Sequence, residues 1–367
     1  MAMEFSNVVT FSQVAPDLYN AMKTYAYNCN LERKGNTRAF EARPKTEMEE
    51  LINKEFAVEL EREVGFSSKK FGETKDAMRR YASTTQVKEF ANSIKDNMID
   101  MILPDVLLSG ALPFIAEMKT ADLGDSLKFD IENNQLFTVS KAGYRKRHTN
   151  LQRLYKTTET MVGENHEITV GADLFEILTG QANIAKDVMK SAISIEASML
   201  YEAYDAFTTA MNALSGNLVV ANYSEKSLIK LCERVTAYNQ GRKAVVLGTP
   251  TALKSILPDN ANYRYSLTDD YVKLGYVKDF NGFDVIPMEQ VANYLSNDYS
   301  LKLDDTKIYV VSPASDKIVK IGVFGGTYTH TDDNYASANK LVLTTTEKAW
   351  NTVVVTNSVG GTVTSLS

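Results

Sequence analysis

Three histidines and two cysteines are the side chains of this 367-residue chain whose chemistry is easiest to judge from spacing. His148, His166 and His330 lie in polar stretches, and none has a metal-binding spacing such as H-E-x-x-H. Cys29 and Cys232 form neither a disulfide framework nor a metal motif. We therefore expect exposed histidines, a pair of buried thiols in a reducing compartment and no metal site.

Enzyme motifs give no positive signal. The sequence contains no G-x-S-x-G nucleophile elbow, no P-loop and no G-x-G-x-x-G dinucleotide motif. Acidic residues are too frequent to select a catalytic carboxylate pair without geometry. We predict no catalytic residue and no cofactor. A hydrolase with a site in residues 327–333, centred on His330, is the alternative from a different functional class.

A basic segment and an acidic segment stand out by charge. Residues 41–63 contain eight glutamates, whereas residues 141–156 are rich in Lys and Arg without the regular aromatic spacing of a single-strand platform. Because their charges are opposite, we predict that they meet between neighbouring copies of the chain, with phosphate binding and plain solvated surfaces as alternatives. The candidate contact residues are Lys141, Arg145, Lys146, Arg147, Arg153, Lys156, Glu47, Glu49, Glu50, Glu59 and Glu63.

Composition limits the class of protein. The hydrophobic content of 44% is enough for a packed core, and the length predicts two or three subdomains. A net charge of −6 argues against a dedicated nucleic-acid binder. The N-terminus lacks the pattern of a signal peptide, and the most apolar stretch, 98–118, carries two aspartates and two prolines. We expect a soluble protein made in a cytoplasm.

The first half of the chain is predicted to be mainly helical. Residues 1–120 contain helical patterns at 47–64 and 86–102, followed by a stretch in which proline and glycine should break any long helix. In residues 182–214 apolar side chains recur every three or four positions. This spacing predicts one amphipathic helix about 50 Å long.

Strand patterns surround this long helix. Gly124-Asp125 predicts a turn, and apolar residues then alternate up to Ile131. The polar residues 133–167 suggest a long two-stranded excursion. Further along, we predict a helix at 224–238, a buried strand at 244–248, a helix begun by Pro250, a strand at 307–311 and β-rich segments at 341–346 and 350–356.

The stretch LGYVKDFNGFDVIP, residues 274–287, is predicted to be a hairpin without chemistry. Gly275 and Gly282 permit tight turns, and Asn281-Gly282 is a strong hairpin signal. Phe283 should point inward. Two further pairs, Gly325-Gly326 and Gly360-Gly361, are typical of turns or a flexible tail.

The order of these parts is informative. LGDSLKFDI, the basic excursion, the long helix, QGRKAVVLGTPTALKSI, the G-x-x-x-x-x-x-G-F-x-V hairpin and a lone Trp350 follow one another over residues 115–357. This succession resembles the major capsid proteins of tailed bacteriophages, the Hong Kong 97-type fold. The resemblance implies an α+β fold with an N-terminal helical arm region (1–120), a strand and extended loop (121–172), a spine helix of a peripheral domain (173–222), an axial α/β domain (223–335) and C-terminal strands that return to the peripheral domain (336–367).

The resemblance also implies a function. Such a protein self-assembles as hexamers and pentamers into an icosahedral head in the virion, after synthesis in the host cytoplasm, and touches the packaged double-stranded DNA weakly and without specificity. Portal, scaffolding and decoration proteins are implied partners, and no membrane is involved. Some family members cross-link through a loop lysine, for which Lys141, Lys146 and Lys156 are available, but no partner asparagine is identifiable and we predict no such link. An encapsulin-like compartment and a phage tail or baseplate protein are alternatives.

Overall fold

The structure is a computed structural model, which describes residues 6–366 with internal gaps. Those gaps are 34, 36–44, 73, 108–110, 133–136, 138, 140–151, 154, 172–173, 257–270, 272, 293–298, 314–315 and 333–342. The described α-helices are α1 Ser6–Val14, α2 Pro16–Arg33, α3 Lys45–Val64, α4 Lys75–Ala82, α5 Thr85–Leu107, α6 Leu112–Ile115, α7 Leu174–Leu178, α8 Ile184–Asn212, α9 Glu225–Tyr238 and α10 Pro250–Leu253.

The described strands form three sheets. They are β1 Ala116–Ala121, β2 Leu127–Glu132, β3 Lys156–Met161, β4 Glu164–Gly171, β5 Val219–Val220, β6 Val245–Gly248, β7 Asp279–Phe280, β8 Phe283–Pro287, β9 Ile308–Val311, β10 Val319–Asp332, β11 Leu343–Val354 and β12 Gly361–Val363. One sheet has the order β1-β10-β11-β4, the second has the order β5-β12-β9-β6-β8-β7, and β2 pairs with β3 as a separate ribbon.

The main core lies between the first sheet and a layer of helices. Met22 of α2, Ile52 of α3, Met98 of α5 and Met199 of α8 are all inaccessible to solvent and belong to one cluster. The N-terminal helices therefore contribute to the main core of the described subunit. Their apolar faces are covered by α8 and by one another.

The second sheet has its own smaller core. Leu231 of α9, Val246 of β6 and Val363 of β12 are fully buried in it. Its strands come from three of the predicted segments. Strand β5 lies in 173–222, strands β6 to β9 lie in 223–335, and β12 lies in 336–367. Conversely, β10 joins the first sheet although it falls within 223–335. The sheets thus divide the chain differently from the predicted boundaries at 222 and 335.

Several predicted elements are present with altered bounds. Asn183 caps α8 through its side chain, and a capping box at Ser224 starts α9. Two predictions are wrong. Helix α5 continues through Pro104 to Leu107, and β11 is one strand of 12 residues instead of two segments.

The predicted flexible glycines also have ordered positions. Gly325-Gly326 lies inside β10, where the pairing with β11 shifts between Phe324 and Tyr328. Gly361 begins the buried strand β12. Its missing side chain makes room for Leu231, because an added Cβ would lie 2.6 Å from Leu231 Cδ1.

The predicted hairpin is present, with a shorter first strand. Residues 274–278 are not a strand; Gly275, with φ of +79°, ends a helical turn by donating its amide to Tyr271 O at 2.8 Å. The bend is Asn281-Gly282, with φ of +50° and +83°. The Gly282 amide also donates to Asp279 Oδ1 at 2.9 Å. Phe283 packs against the second core, as predicted.

The other predicted turn is also observed. Gly124 has φ of +91°, and the Asp125 amide donates to Asp122 O at 3.1 Å. This turn reverses the chain between β1 and β2. Phe129 and Ile131 are then buried at alternate positions, as the pattern predicts.

We expect Gly282→Val to lower the free energy of unfolding by about 1–2 kcal/mol, because a β-branched residue is strained at positive φ. The space around Gly282 is open, so this backbone strain is the only cause of the loss. Gly282→Asn is the matched control, since asparagine tolerates this conformation. Equal thermal unfolding midpoints for the two variants would contradict this explanation.

Candidate functional site

Charged side chains are buried between helix α5 and strands β10 and β11. Lys348 Nζ lies 2.7 Å from Asp100 Oδ1, with side chains 1% and 0% exposed. Lys348 Nζ also donates to Gly325 O at 3.0 Å. Thr327 donates its amide to Asp100 Oδ2 at 2.9 Å and its hydroxyl to Oδ1 at 2.6 Å. The register shift in β10 thus turns a backbone carbonyl and a backbone amide toward this pair.

A second aspartate lies one helical turn earlier on the same face of α5. Asp96 accepts a hydrogen bond from the Thr329 amide at 3.0 Å and another from the Thr329 hydroxyl. Thr329 in turn contacts Thr346 of β11, with 3.0 Å between the hydroxyl oxygens. Two adjacent turns of the helix are therefore hydrogen-bonded to the sheet through carboxyl groups.

Burial changes the protonation of these groups. It raises the pKa of Asp96 from 3.8 to about 7, and the nearby Asp100 contributes to the increase; hydrogen bonds from Thr329 oppose it. Burial also lowers the pKa of Lys348, although the attraction of Asp100 opposes this shift. Compared with water, the site therefore favours the neutral carboxylic acid of Asp96 and the neutral amine of Lys348.

The base of the β2–β3 ribbon is held by a small cluster. Phe129 and Met161 of the ribbon pack with Phe324 of β10. Lys119 and Lys320 lie over the Phe129 ring, with 4.4 and 5.9 Å from Nζ to the ring centroid. Lys320 is buried and lies 2.6 Å from Glu117 Oε2. These contacts connect the ribbon to one end of the first sheet.

A glycine makes this close packing possible. A Cβ added at Gly322 would lie 2.5 Å from Met161 Sδ, 2.9 Å from Leu127 Cδ1 and 2.9 Å from Phe324 Cε2. Both ribbon strands therefore rest directly on the backbone of β10. The sequence gives no indication of this contact, because Gly322 occurs in an ordinary strand pattern.

The predicted basic surface lies mostly outside the described residues. This is true of Lys141, Arg145, Lys146 and Arg147, and also of His148. Arg153 is exposed. Lys156 is exposed at the described end of the ribbon, where its Nζ lies 2.8 Å from Asp130 Oδ2.

The acidic helix α3 is only partly a solvated face. Glu49 is buried, where it accepts a hydrogen bond from Tyr25 and contacts Lys186 at 2.9 Å. Glu59 is buried and bonded to Arg62. The expectation of solvated side chains is wrong for these two, because the helix turns them toward its own chain. Glu47, Glu50 and Glu63 are exposed.

The two described histidines differ from each other. His330 is partly exposed, with Nδ1 3.5 Å from Glu347 Oε1. His166 is also partly exposed and stacks on Trp350 with ring centroids 3.6 Å apart. Trp350 also donates to Glu202 at 2.8 Å. Both cysteines are buried free thiols, as predicted.

The described residues contain neither a metal-binding cluster nor a membrane-spanning helix. No cluster of three or more histidine, cysteine, aspartate or glutamate side chains there could hold a metal ion. Within the same residues, every helix is too short or too polar to cross a bilayer.

Comparison with known proteins identifies the family. Residues 53–364 match the family model described as "SPbeta prophage-derived putative capsid protein YonB". The chain belongs to this capsid protein family. Its function is to form a capsid shell with further copies of itself. The match to the family model confirms the family predicted from the sequence. None of the curated proteins compared with the chain matches it.

Three solved structures are similar to this YonB-family protein. The mature capsid of bacteriophage PhiM1 is 10% identical, with 70% of this chain and 87% of that chain covered and a TM-score of 0.46. The capsid of an empty GTA particle is 13% identical, with coverage of 69% and 89% and a TM-score of 0.44. A virus-like particle from Pyrococcus furiosus is 11% identical, with coverage of 71% and 95% and a TM-score of 0.40.

We expect Asp96→Asn to change how stability depends on pH. The pKa of Asp96 is higher in the folded than in the unfolded protein, so its contribution to stability is complete below pH 3.8 and is lost as the pH rises through about 7. Between these values the wild type should lose up to about 1.4 kcal/mol per pH unit relative to the variant. Urea unfolding at several pH values measures the difference in slope.

The control for this experiment is Glu50→Gln, which removes an exposed carboxylate. Its pH profile should follow that of the wild type. A profile of Asp96→Asn parallel to the wild type would show that Asp96 is ionised in the folded protein as readily as in the unfolded one.

We expect Gly322→Ala to destabilise the protein by about 1–3 kcal/mol, because the added methyl group overpacks the base of the ribbon. Gly171→Ala is the control: it also lies in a strand of the first sheet, and nothing lies within 4 Å of its added Cβ. Thermal unfolding of the two variants tests the prediction. A loss no larger than that of Gly171→Ala would mean that the ribbon is not anchored through Gly322.

Proposed function

We propose that this protein builds the icosahedral head of a tailed phage as hexamers and pentamers, and that the ribbon of each subunit contacts a neighbouring subunit. The observation that carries the proposal is the exposure of apolar side chains that follow β2 or flank β3 in the sequence. Val139 is 95% exposed, Tyr155 66%, Val162 61% and Phe137 57%. A single folded chain leaves these groups in water, whereas a neighbouring subunit would cover them.

Charge supports the choice of partner surface. The basic segment follows β2, and Arg153 and Lys156 mark its exposed described end. On α3, Glu47 and Glu50 are exposed and lie one turn apart, so they present negative charge on one face. Attraction between these two surfaces on neighbouring copies would favour ordered assembly.

The packaged molecule is proposed to be double-stranded DNA. A chain with net charge −6 gains little from phosphate contacts, so the DNA would be enclosed without being recognised. Assembly is proposed to occur in the host cytoplasm with portal, scaffolding and decoration proteins. The subunit has a structural role, and no catalytic residue is proposed for it.

Reversing the charge of the basic segment tests the proposed contact. The triple variant Arg145→Glu, Lys146→Glu, Arg147→Glu should fail to form closed shells, because two acidic surfaces would then face each other. Electron microscopy and sedimentation of the purified protein measure particle formation, with the wild type expected to give closed shells. Circular dichroism shows whether the variant subunit is folded.

A charge-swapped partner provides the matched control. Combining the triple variant with Glu47→Lys and Glu50→Lys in the same chain should restore shells if the two surfaces meet. Shells formed by the triple variant itself would refute the contact. Failure of the combined variant to assemble would exclude α3 as the partner surface.

A further inference from the structure

The ion pair of Lys348 and Asp100 joins two distant parts of the chain and is almost completely buried. The two residues are 248 positions apart, and one lies on a helix and the other on a strand. Their side chains are 1% and 0% exposed, so water has almost no access. A charged pair in such a site lacks the solvation that stabilises it at a surface.

The two side chains are in direct contact. Lys348 Nζ is 2.7 Å from Asp100 Oδ1, so the carboxyl carbon one bond further lies close to the separation of about 3–3.5 Å from which nucleophiles attack. The Gly325 carbonyl accepts a hydrogen bond from the same Nζ at 3.0 Å and fixes its position. Both partners belong to packed elements and need no movement to meet.

We propose that Lys348 and Asp100 form an intramolecular isopeptide bond once the chain has folded. A proton passes from the ammonium to the carboxylate, which gives a neutral amine and a carboxylic acid. Lys348 Nζ then bonds to Asp100 Cγ, the bond from Cγ to one carboxyl oxygen breaks, and that oxygen leaves as water with one proton from the acid and one from the amine. No oxidant, metal or other reactant is consumed.

Neighbouring groups support each part of this step. Burial lowers the pKa of Lys348 and so favours the nucleophilic amine. The amide and hydroxyl of Thr327 donate to the two carboxyl oxygens, at 2.9 and 2.6 Å, where negative charge develops in the tetrahedral intermediate. Burial raises the pKa of Asp96, one turn earlier on the same helix, to about 7, and in its neutral form Asp96 does not stabilise the ammonium form of Lys348.

The proposed bond differs from a cross-link between subunits. It lies within one chain, forms without assembly and joins α5 covalently to β11. Its presence is therefore independent of whether the protein forms the proposed head, and the two proposals can fail separately.

Intact mass spectrometry of the denatured full-length protein tests the proposal. The wild type should be lighter than its sequence mass by one molecule of water, and tryptic digestion should give a branched peptide that joins Lys348 to Asp100. Asp100→Asn keeps a similar shape and should lose one molecule of ammonia to form the same bond.

Two variants serve as controls. Lys348→Arg should show its full sequence mass, because guanidinium does not attack a carboxyl group. Lys320→Arg alters another buried lysine near carboxylates and should still lose one molecule of water. A folded wild type with its full sequence mass, or a loss of water without the branched peptide, would overturn the proposal.

Discussion

Opposite charges that meet where water is excluded fix the central packing of this protein. Helix α5 crosses β10 and β11, and Asp96 and Asp100 reach the sheet from adjacent turns. Apolar packing alone would allow a helix to slide by a turn, whereas each carboxyl group here has specific donors on the strands. Loss of one member of such a buried pair costs about 3–5 kcal/mol, so the position of the helix is strongly determined.

This packing explains how two sheets and many helices form one subunit. Because α5 is fixed to the sheet on one side and packs against α3 and α8 on the other, the N-terminal helices become part of the main core. The same strands that hold α5 also hold the ribbon, since Gly322 and Phe324 of β10 contact its base. Strand β10 therefore links the interior of the subunit to the part proposed to reach a neighbour.

Local patterns predicted the elements, and only the fold could reveal their contacts. Helix α8, the cap at Ser224 and the turn at Asn281-Gly282 depend on nearby residues, so periodicity and turn chemistry were sufficient. The prediction omitted residues 347–349 from the β-rich segments, and Asp100, the partner of Lys348 in this stretch, lies in a distant helix. The burial of Glu49 and Glu59 was also missed, because the residues that pack around these side chains come from other segments of the chain.

The position of β12 has a consequence for the time at which the subunit is complete. This strand lies between β5 and β9, so the second sheet has a gap until residues 361–363 arrive. During translation, β5 and β9 emerge earlier and cannot pair with β12 until it has been synthesised. A chain interrupted before this point would expose Leu231 and the open edges of both strands. The second sheet therefore cannot close until residues 361–363 have left the ribosome, and shorter fragments keep these edges exposed.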